Sequence, residues 1–127
     1  MEINNPTVLA EVEAAFAGYE AALMGNDVAE LQLLFWVSPQ TIRYGIAENL
    51  YGHDEIGAYR AARSPAGLAR RLSRTVITTF GQDFATASTL FHRDSAAGKI
   101  GRQMQSWARF PEGWRIVAAH VSLIDAP

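Results

Sequence analysis

The sequence predicts a single cone-shaped α+β domain, in which three helices from the first half of the chain pack on a curved, mostly antiparallel sheet. Apolar residues follow a helical period through the first 34 residues, whereas the second half consists of four runs rich in β-branched and aromatic residues. The chain has 127 residues, of which 49% are hydrophobic. This is enough for one core, and no segment is long enough to link a second domain.

The first helix is predicted from apolar residues that alternate steps of three and four positions, which places them on one helical face. The helix begins near Pro6, which is tolerated in a first turn, and it ends at Gly25 and Asn26, which favour a helix stop. The apolar residues of this face are Leu9, Val12, Phe16, Tyr19 and Leu23.

A second, short helix is predicted to run from a cap at Asp27 to about Leu34, with Glu30 in the capping-box position. The pattern then changes, because residues 35–45 (FWVSPQTIRYG) are typical of a strand. Pro39 lies inside that run and cannot donate a ladder hydrogen bond, so we expect an edge strand or a bulged one.

A third helix is predicted over residues 53–63 (HDEIGAYRAAR), with Asp54 near its cap, after a short extended piece at 49–52. A break at 63–67 separates this helix from a four-stranded meander. The short turns at 81–83, 94–99 and 111–113 make neighbouring strands antiparallel. The four predicted strands cover residues 68–80, 83–93, 100–110 and 114–124.

Both faces of the last strand are largely apolar, which is unusual for a strand with one face in water. With strict alternation, one face carries Trp114, Ile116, Ala118, His120 and Ser122, and the other carries Val117, Ala119, Val121 and Leu123. One face covers the helices, and the chain has no further element to cover the other. We therefore expect a homodimer formed through the sheet.

The composition excludes several classes of function. The absence of cysteine rules out disulfides, thiolate zinc sites and cysteine nucleophiles. A net charge of −2 argues against a nucleic-acid partner. Glutamates interrupt the apolar stretch of the first helix, so it is neither a signal peptide nor a membrane span, and a cytoplasmic protein without a membrane partner is expected. The three histidines lack metal-ligand spacing, so no metal is expected.

The buried face of the first helix carries Tyr19, which is either a core tyrosine or a phenol pointed into the cone as a proton donor. Arg43 lies between apolar neighbours in the first strand. It is either a solvated or structurally paired arginine, or a pocket residue that holds a carboxylate through two parallel hydrogen bonds.

Further candidates for substrate binding lie on the later strands. Gln105 and Trp107 share a face and either line the cavity or are respectively exposed and in the core. His120 lies on the opposite face by strict alternation, so a structural role is favoured and a substrate contact is held in reserve. Five of the ten arginines lie between residues 60 and 74, either as a solvated face or as an attractor of anions, and Arg74 is the one expected to point inward.

The order of elements and the ending GWRIVAAHVSLI resemble the nuclear transport factor 2-like superfamily, also called SnoaL-like. The runs IRYG, RTVITTFGQDFATAST and GRQMQSWARFPEGWRIVAAHVSL resemble the narrower AtzH-like family. This resemblance implies cofactor-free hydrolysis of a carboxylated urea, 1,3-dicarboxyurea, to allophanate with ammonia as the released group. It also implies that Tyr19 and Arg43 line the cavity. A sister branch of the family is tied to oxalurate breakdown.

Two functions therefore remain open. The first is a small hydrolase or deamidase that acts on the linear C–N bond of an anionic ureide, with Arg43 binding a carboxylate and Tyr19 directing water or protonating the leaving nitrogen. The second is a dimeric module that binds a small carboxylic acid, or docks on a larger amidohydrolase, without chemistry. The absence of a standard catalytic signature favours the second.

Overall fold

The computed structural model describes all 127 residues and has three α-helices and six strands. The α+β arrangement predicted from the sequence is confirmed. None of the helices is both long enough and apolar enough to span a lipid bilayer. The elements are α1 (Pro6–Met24), α2 (Val28–Leu34), β1 (Ile42–Tyr44), β2 (Asn49–Tyr51), α3 (His53–Ala62), β3 (Arg71–Phe80), β4 (Phe84–His92), β5 (Lys99–Phe110) and β6 (Gly113–Asp125), with a 3₁₀ turn at Asp94–Ala96.

The six strands form one sheet in the order β2-β1-β6-β5-β4-β3. The strands from β3 to β6 form the predicted antiparallel meander, and β1 adds to β6 in parallel. This parallel pairing brings the first strand of the chain beside the last, so residues far apart in sequence share the inner face of the sheet.

The core lies between α1 and the inner face of the sheet. Its helical side is the predicted apolar stripe, and Val12, Phe16, Tyr19 and Leu23 are all buried. A side-chain oxygen of Asn5 accepts from the first backbone N–H groups of α1, and that of Asp27 accepts from Glu30 N, so both helix starts are capped.

A β-bulge changes which face of the sheet the residues of β6 lie on, so the predicted faces of this strand need correction. The β5–β6 register shifts between Ser106 and Trp107, so Trp107 pairs with Ile116 while Ser106 pairs with Ala118. The extra residue, Val117, switches the alternation of β6. Strict alternation was therefore wrong: Trp114 and Ile116 face inward together with Ala119 and Val121, while Ala118, His120 and Ser122 lie on the other face.

One local prediction was also wrong. Residues 35–45 form a strand only at Ile42–Tyr44; before it, Phe35 makes one bridge to Ile116 and the chain then bends around Pro39. The hydroxyl of Thr41 donates to the Trp36 carbonyl at 2.7 Å and closes this bend. Helix α3 lies where it was predicted, with Asp54 in its first turn; Gly52 occupies the cap position, so no side chain caps this helix.

Candidate active site

The inner face of the sheet forms the floor of the site. Arg43 pairs with Ala119, and Ala119 pairs with Gln105, so these three residues form one row across β1, β6 and β5. Ala119 has the smallest side chain of the row, so the strand between Arg43 and Gln105 contributes only a methyl group there. Gln103 lies two residues from Gln105 and shares its face. Both glutamines are about 2% exposed.

Helices α1 and α3 provide the opposite wall through Tyr19 and Arg60. Arg60 is fully buried, and its Nη2 donates a hydrogen bond to the Tyr19 hydroxyl oxygen at 3.3 Å. The guanidinium also lies 5.2 Å from the Phe35 ring centroid, a cation–π contact that holds the charge in the core. Since the Tyr19 oxygen is the acceptor from Arg60, its own proton is free to be donated elsewhere.

The ring of Tyr59 gathers two more arginines beside this pair. Its centroid lies 5.4 Å from the Arg43 guanidinium and 5.9 Å from that of Arg63. Nη1 of Arg43 also donates to Glu48 at 2.8 Å. Gly45 permits this ion pair, because a Cβ at that position would lie 1.7 Å from the Glu48 carboxylate. We call Tyr19, Tyr59, Arg43, Arg60 and Arg63 the Tyr19 end of the site.

A second group of charges surrounds the ring of Phe91. The guanidinium groups of Arg70 and Arg93 lie 4.6 and 5.0 Å from its centroid. Arg70 makes a bidentate ion pair with Glu20 and donates to Gln103 Oε1 at 2.9 Å. We call these five residues the Phe91 end of the site. The ring lies directly over Gly101, where any Cβ would come within 2.1 Å of it.

The two ends and Gln105 on the floor together contain many buried N–H donors that have no acceptor in the protein. Buried polar groups are normally hydrogen-bonded, so a concentration of unpaired donors marks a place for an acceptor-rich ligand. Flipping the side-chain amides of Gln103 and Gln105 would not remove their unpaired donors. Their amide oxygens already accept hydrogen bonds, from Arg70 and from the indole of Trp107 respectively, and a flip would break these bonds. The unpaired atoms are Nε of Arg43, Nε and Nη1 of Arg60, Nε and Nη2 of Arg63, Nε of Arg93, and Nε2 of Gln103 and Gln105.

The charges at the site are unbalanced in favour of cations. Five arginines face only two carboxylates, those of Glu20 and Glu48, and neither is shared. Arg60, Arg63 and Arg93 therefore have no carboxylate partner. Burial, followed by the charge of Arg60, lowers the pKa of Arg63; burial, followed by the charge of Arg70, lowers that of Arg93. An anion bound here would relieve this repulsion.

The phenol of Tyr19 responds to both ends of the site. Burial raises its pKa, but the charges of Arg60, Arg43 and Arg70 and the hydrogen bond from Arg60 together lower it more. The net pKa of Tyr19 therefore lies below its ordinary value of 10.0. A phenol of this kind donates a proton more readily than free tyrosine, and its phenolate is stabilised in place by the guanidinium groups.

The structure brings only some of the sequence candidates together. Tyr19 and Arg43 are 2% and 6% exposed on facing walls. Gln105 is buried on the floor, so the alternative that it is exposed is wrong, while Trp107 packs in the hydrophobic core and donates to Gln105 at 3.1 Å. Trp107 therefore orients the amide.

Arg74 and His120 lie apart from this cluster. Arg74 was expected to point inward, but it is exposed at the bulge of β3 with a left-handed φ of 52°. The extra residue there breaks the alternation on which that expectation depended. His120 is exposed on the outer face, where its ring packs edge-on against Tyr44 at 6.0 Å. Neither residue contacts the Tyr19 or Phe91 end.

The sequence analysis included Arg60, Arg63 and Arg70 only in a group that is either a solvated face or an attractor of anions, and it did not single them out. A signal for two of them was nevertheless present. Ile56, Tyr59, Arg60 and Arg63 have the spacing of one helical face, and Ile56 is fully buried. An apolar residue in register with two arginines on a short helix predicts that those arginines face inward. Arg70, Arg93 and Gln103 follow no such period and required the three-dimensional arrangement.

The three helices and the six-stranded sheet have the fold of the nuclear transport factor 2-like class. A nuclear transport factor 2-like protein of unknown function from Pseudomonas putida has the same fold, with a TM-score of 0.73 and 12% identity over 91% of this chain and 86% of that one. Within this class, the chain belongs to the AtzH-like family, whose model matches residues 1–127.

Two solved structures are much more similar. A protein of unknown function from Pectobacterium atrosepticum is 61% identical, with a TM-score of 0.94, over 97% of this chain and 95% of that one. A cystatin-like fold protein from Burkholderia xenovorans is 53% identical, with a TM-score of 0.95, over 100% of this chain and 99% of that one. The search of curated proteins found no significant match.

Proposed function

We propose that this protein is a cofactor-free hydrolase that removes a carboxyl group from a carboxylated urea, with 1,3-dicarboxyurea as the substrate. The observation that carries the proposal is the contact between Arg60 and Tyr19 among unpaired buried donors. It combines a proton donor of lowered pKa with guanidinium groups that lack an acceptor. Membership of the AtzH-like family supports the choice of a ureide.

Atom balance corrects the released group expected from the resemblance. The 1,3-dicarboxyurea dianion and allophanate both contain two nitrogens, so their interconversion cannot release ammonia. The balanced reaction consumes the dianion and one water and yields one allophanate anion and one bicarbonate. The bond that breaks joins a ureido nitrogen to a terminal carboxyl carbon, and its electron pair stays on nitrogen.

The residues of the Tyr19 end have complementary roles in this step. Water adds to the terminal carboxyl carbon, which increases the negative charge on its oxygens. Arg60, together with the free Nε–H of Arg43, stabilises that charge more strongly in the transition state than in the substrate. Tyr19 donates its proton to the departing nitrogen, and the phenolate, held by Arg60, takes a proton back from the added water. Gln105 Nε2 donates to the central urea carbonyl.

Product analysis tests this reaction. Freshly prepared 1,3-dicarboxyurea labelled with ¹³C in its carboxyl groups is followed by NMR, with ammonium measured in parallel. We expect labelled bicarbonate and allophanate to form in equal amounts, faster than in buffer, without ammonium. Oxalurate serves as the comparison substrate. A reaction no faster than in buffer, combined with tight binding of a dicarboxylate, would instead assign the protein as a binding module.

We also propose that the protein forms a homodimer through the outer face of the sheet. Val76 and Met104 are 61% and 60% exposed there, beside Ala118 and Tyr44, and few charges interrupt this face. A second copy would bury these apolar side chains. Sedimentation at micromolar concentration tests this assembly: a dimer is expected for the native chain and a monomer for Met104→Glu, and a native monomer would contradict it.

A further inference from the structure

We infer that the site binds two carboxylates at once, and that Arg93 and Gln103 at the Phe91 end determine this specificity by holding the carboxylate that does not react. The inference builds on the proposed function, because it names the residues that hold the second carboxylate of that dianionic substrate. It rests on the separate pairing of charges at the two ends of the site.

Each end of the site retains its own unpaired donors after its internal ion pair is formed. At the Tyr19 end, Glu48 is bound by Arg43, which leaves Arg60 and Arg63 without a carboxylate. At the Phe91 end, Glu20 is bound by Arg70, which leaves Arg93. Each internal pair thus neutralises one arginine, and each end keeps at least one guanidinium for a ligand.

The Phe91 end is also shaped to orient a planar anion. The Gln103 amide oxygen accepts from Arg70, which turns Nε2 away from Arg70 and leaves it unpaired. Nε of Arg93 is unpaired as well, and Arg93 stacks on the same Phe91 ring as Arg70. A carboxylate has two oxygens, so one can accept from Arg93 and the other from Gln103.

The Tyr19 phenol interacts electrostatically with arginines of both ends. The cations that lower its pKa are Arg60 and Arg43 of its own end and Arg70 of the Phe91 end. Arg60 also donates to the Tyr19 hydroxyl at 3.3 Å, so a dianion with its reacting carboxylate on Arg60 would have the adjacent nitrogen near the phenol. Allophanate carries only one carboxylate, so the product loses one anchor and leaves the site. Oxalurate is also a monoanion, so this arrangement disfavours it as a substrate.

Binding of a matched pair of stable probes tests the inference. Glutarate has the same chain length as 1,3-dicarboxyurea with a carboxylate at each end, and glutaramate replaces one carboxylate by a neutral amide of nearly equal size. Titration calorimetry should show that the native protein binds glutarate at least about tenfold more tightly than glutaramate, the scale of one charge-assisted hydrogen-bonded contact.

Arg93→Gln should lower the affinity for glutarate to about that for glutaramate and leave the glutaramate affinity nearly unchanged. Arg93 has no carboxylate partner, so this variant leaves no buried carboxylate unpaired. Arg71→Gln is the matched control, because Arg71 is exposed on β3 and should change neither affinity. Equal binding of the two probes by the native protein, or equal losses in the two variants, would overturn the inference.

The same measurements separate this inference from the proposed reaction. An Arg93-dependent preference for glutarate, without bicarbonate release from 1,3-dicarboxyurea, would retain the two-carboxylate site and remove the hydrolase. Bicarbonate release without a preference for glutarate would retain the hydrolase and remove the second carboxylate site.

Discussion

Tyr19→Phe is expected to lower the turnover of 1,3-dicarboxyurea by about 10²–10⁴-fold, the usual contribution of a positioned general acid. The variant removes one oxygen, which accepts from Arg60, and keeps the ring of a side chain that is 2% exposed. Its Km should change little, because the carboxylates are held by arginines. The measurement is the initial rate of labelled bicarbonate formation over a range of substrate concentrations.

Tyr51→Phe is the matched control for this substitution. Tyr51 is 52% exposed, and its hydroxyl contacts that of Tyr44 at 3.1 Å on the outer surface. It should retain the native rate. Native-like turnover in Tyr19→Phe would contradict the role of the phenol, and equal losses in the two variants would point to a general effect on folding.

The turnover of 1,3-dicarboxyurea is expected to decrease at high pH. Tyr19 acts as an acid only while protonated, so turnover should fall as pH rises through its pKa, which lies below 10.0 because of Arg60, Arg43 and Arg70. Arg60→Met removes one of these cations, so the pKa of Tyr19 should rise. Tyrosinate absorbance, with the Tyr19→Phe titration subtracted, measures this directly. A Tyr19 titration unchanged by Arg60→Met would contradict the electrostatic account.

Glu20→Ala is expected to destabilise the fold by about 3–5 kcal/mol, the cost of leaving one member of a buried ion pair alone. The partner, Arg70, has a side chain that is 1% exposed, and its charge would then lack a carboxylate among other arginines. Denaturant unfolding measures the loss. The double variant Glu20→Leu with Arg70→Met should recover much of it, because no buried charge is left unpaired.

An exposed ion pair serves as the control for Glu20. Asp83 pairs with Arg109 at 2.9 Å, but the two side chains are 72% and 38% exposed. Asp83→Ala should therefore cost only about 0–1 kcal/mol. If Glu20→Ala and Asp83→Ala lowered the free energy of unfolding by equal amounts, burial would not determine how much these ion pairs stabilise the fold.

The spacing of apolar residues predicted the helices and strands, because each element must bury one apolar face. The stripe through Val12, Phe16 and Tyr19 is long enough to identify α1, and the alternating runs with short turns identify the meander. The prediction failed at β-bulges, where one extra residue changes the sheet face on which the following residues of the strand lie. The bulge at Val117 puts Trp114 and Ile116 on the inner face, apart from His120, which lies on the face opposite Trp107 as predicted. The bulge near Arg74 turned that residue to solvent.

The candidate site was predicted only in part, because the charged residues of a site do not recur at a regular spacing in the sequence. Tyr19 and Arg43 were identified from burial patterns and from family resemblance. The pairing of Glu20 with Arg70 joins residues fifty positions apart, which no local pattern reveals. Arg60 was within reach of prediction through its spacing from Ile56, but a cluster of arginines usually indicates a solvated surface.

A crystal structure of the complex with glutarate tests most directly the claim that the anion-binding site lies inside the cone. We expect one carboxylate on Arg60 and its neighbours beside Tyr19, and the other on Arg93 and Gln103. The donors that are unpaired in the free protein would then be hydrogen-bonded. Glutarate bound on the outer face near His120, or a donor cluster left unoccupied at saturating glutarate, would contradict the account.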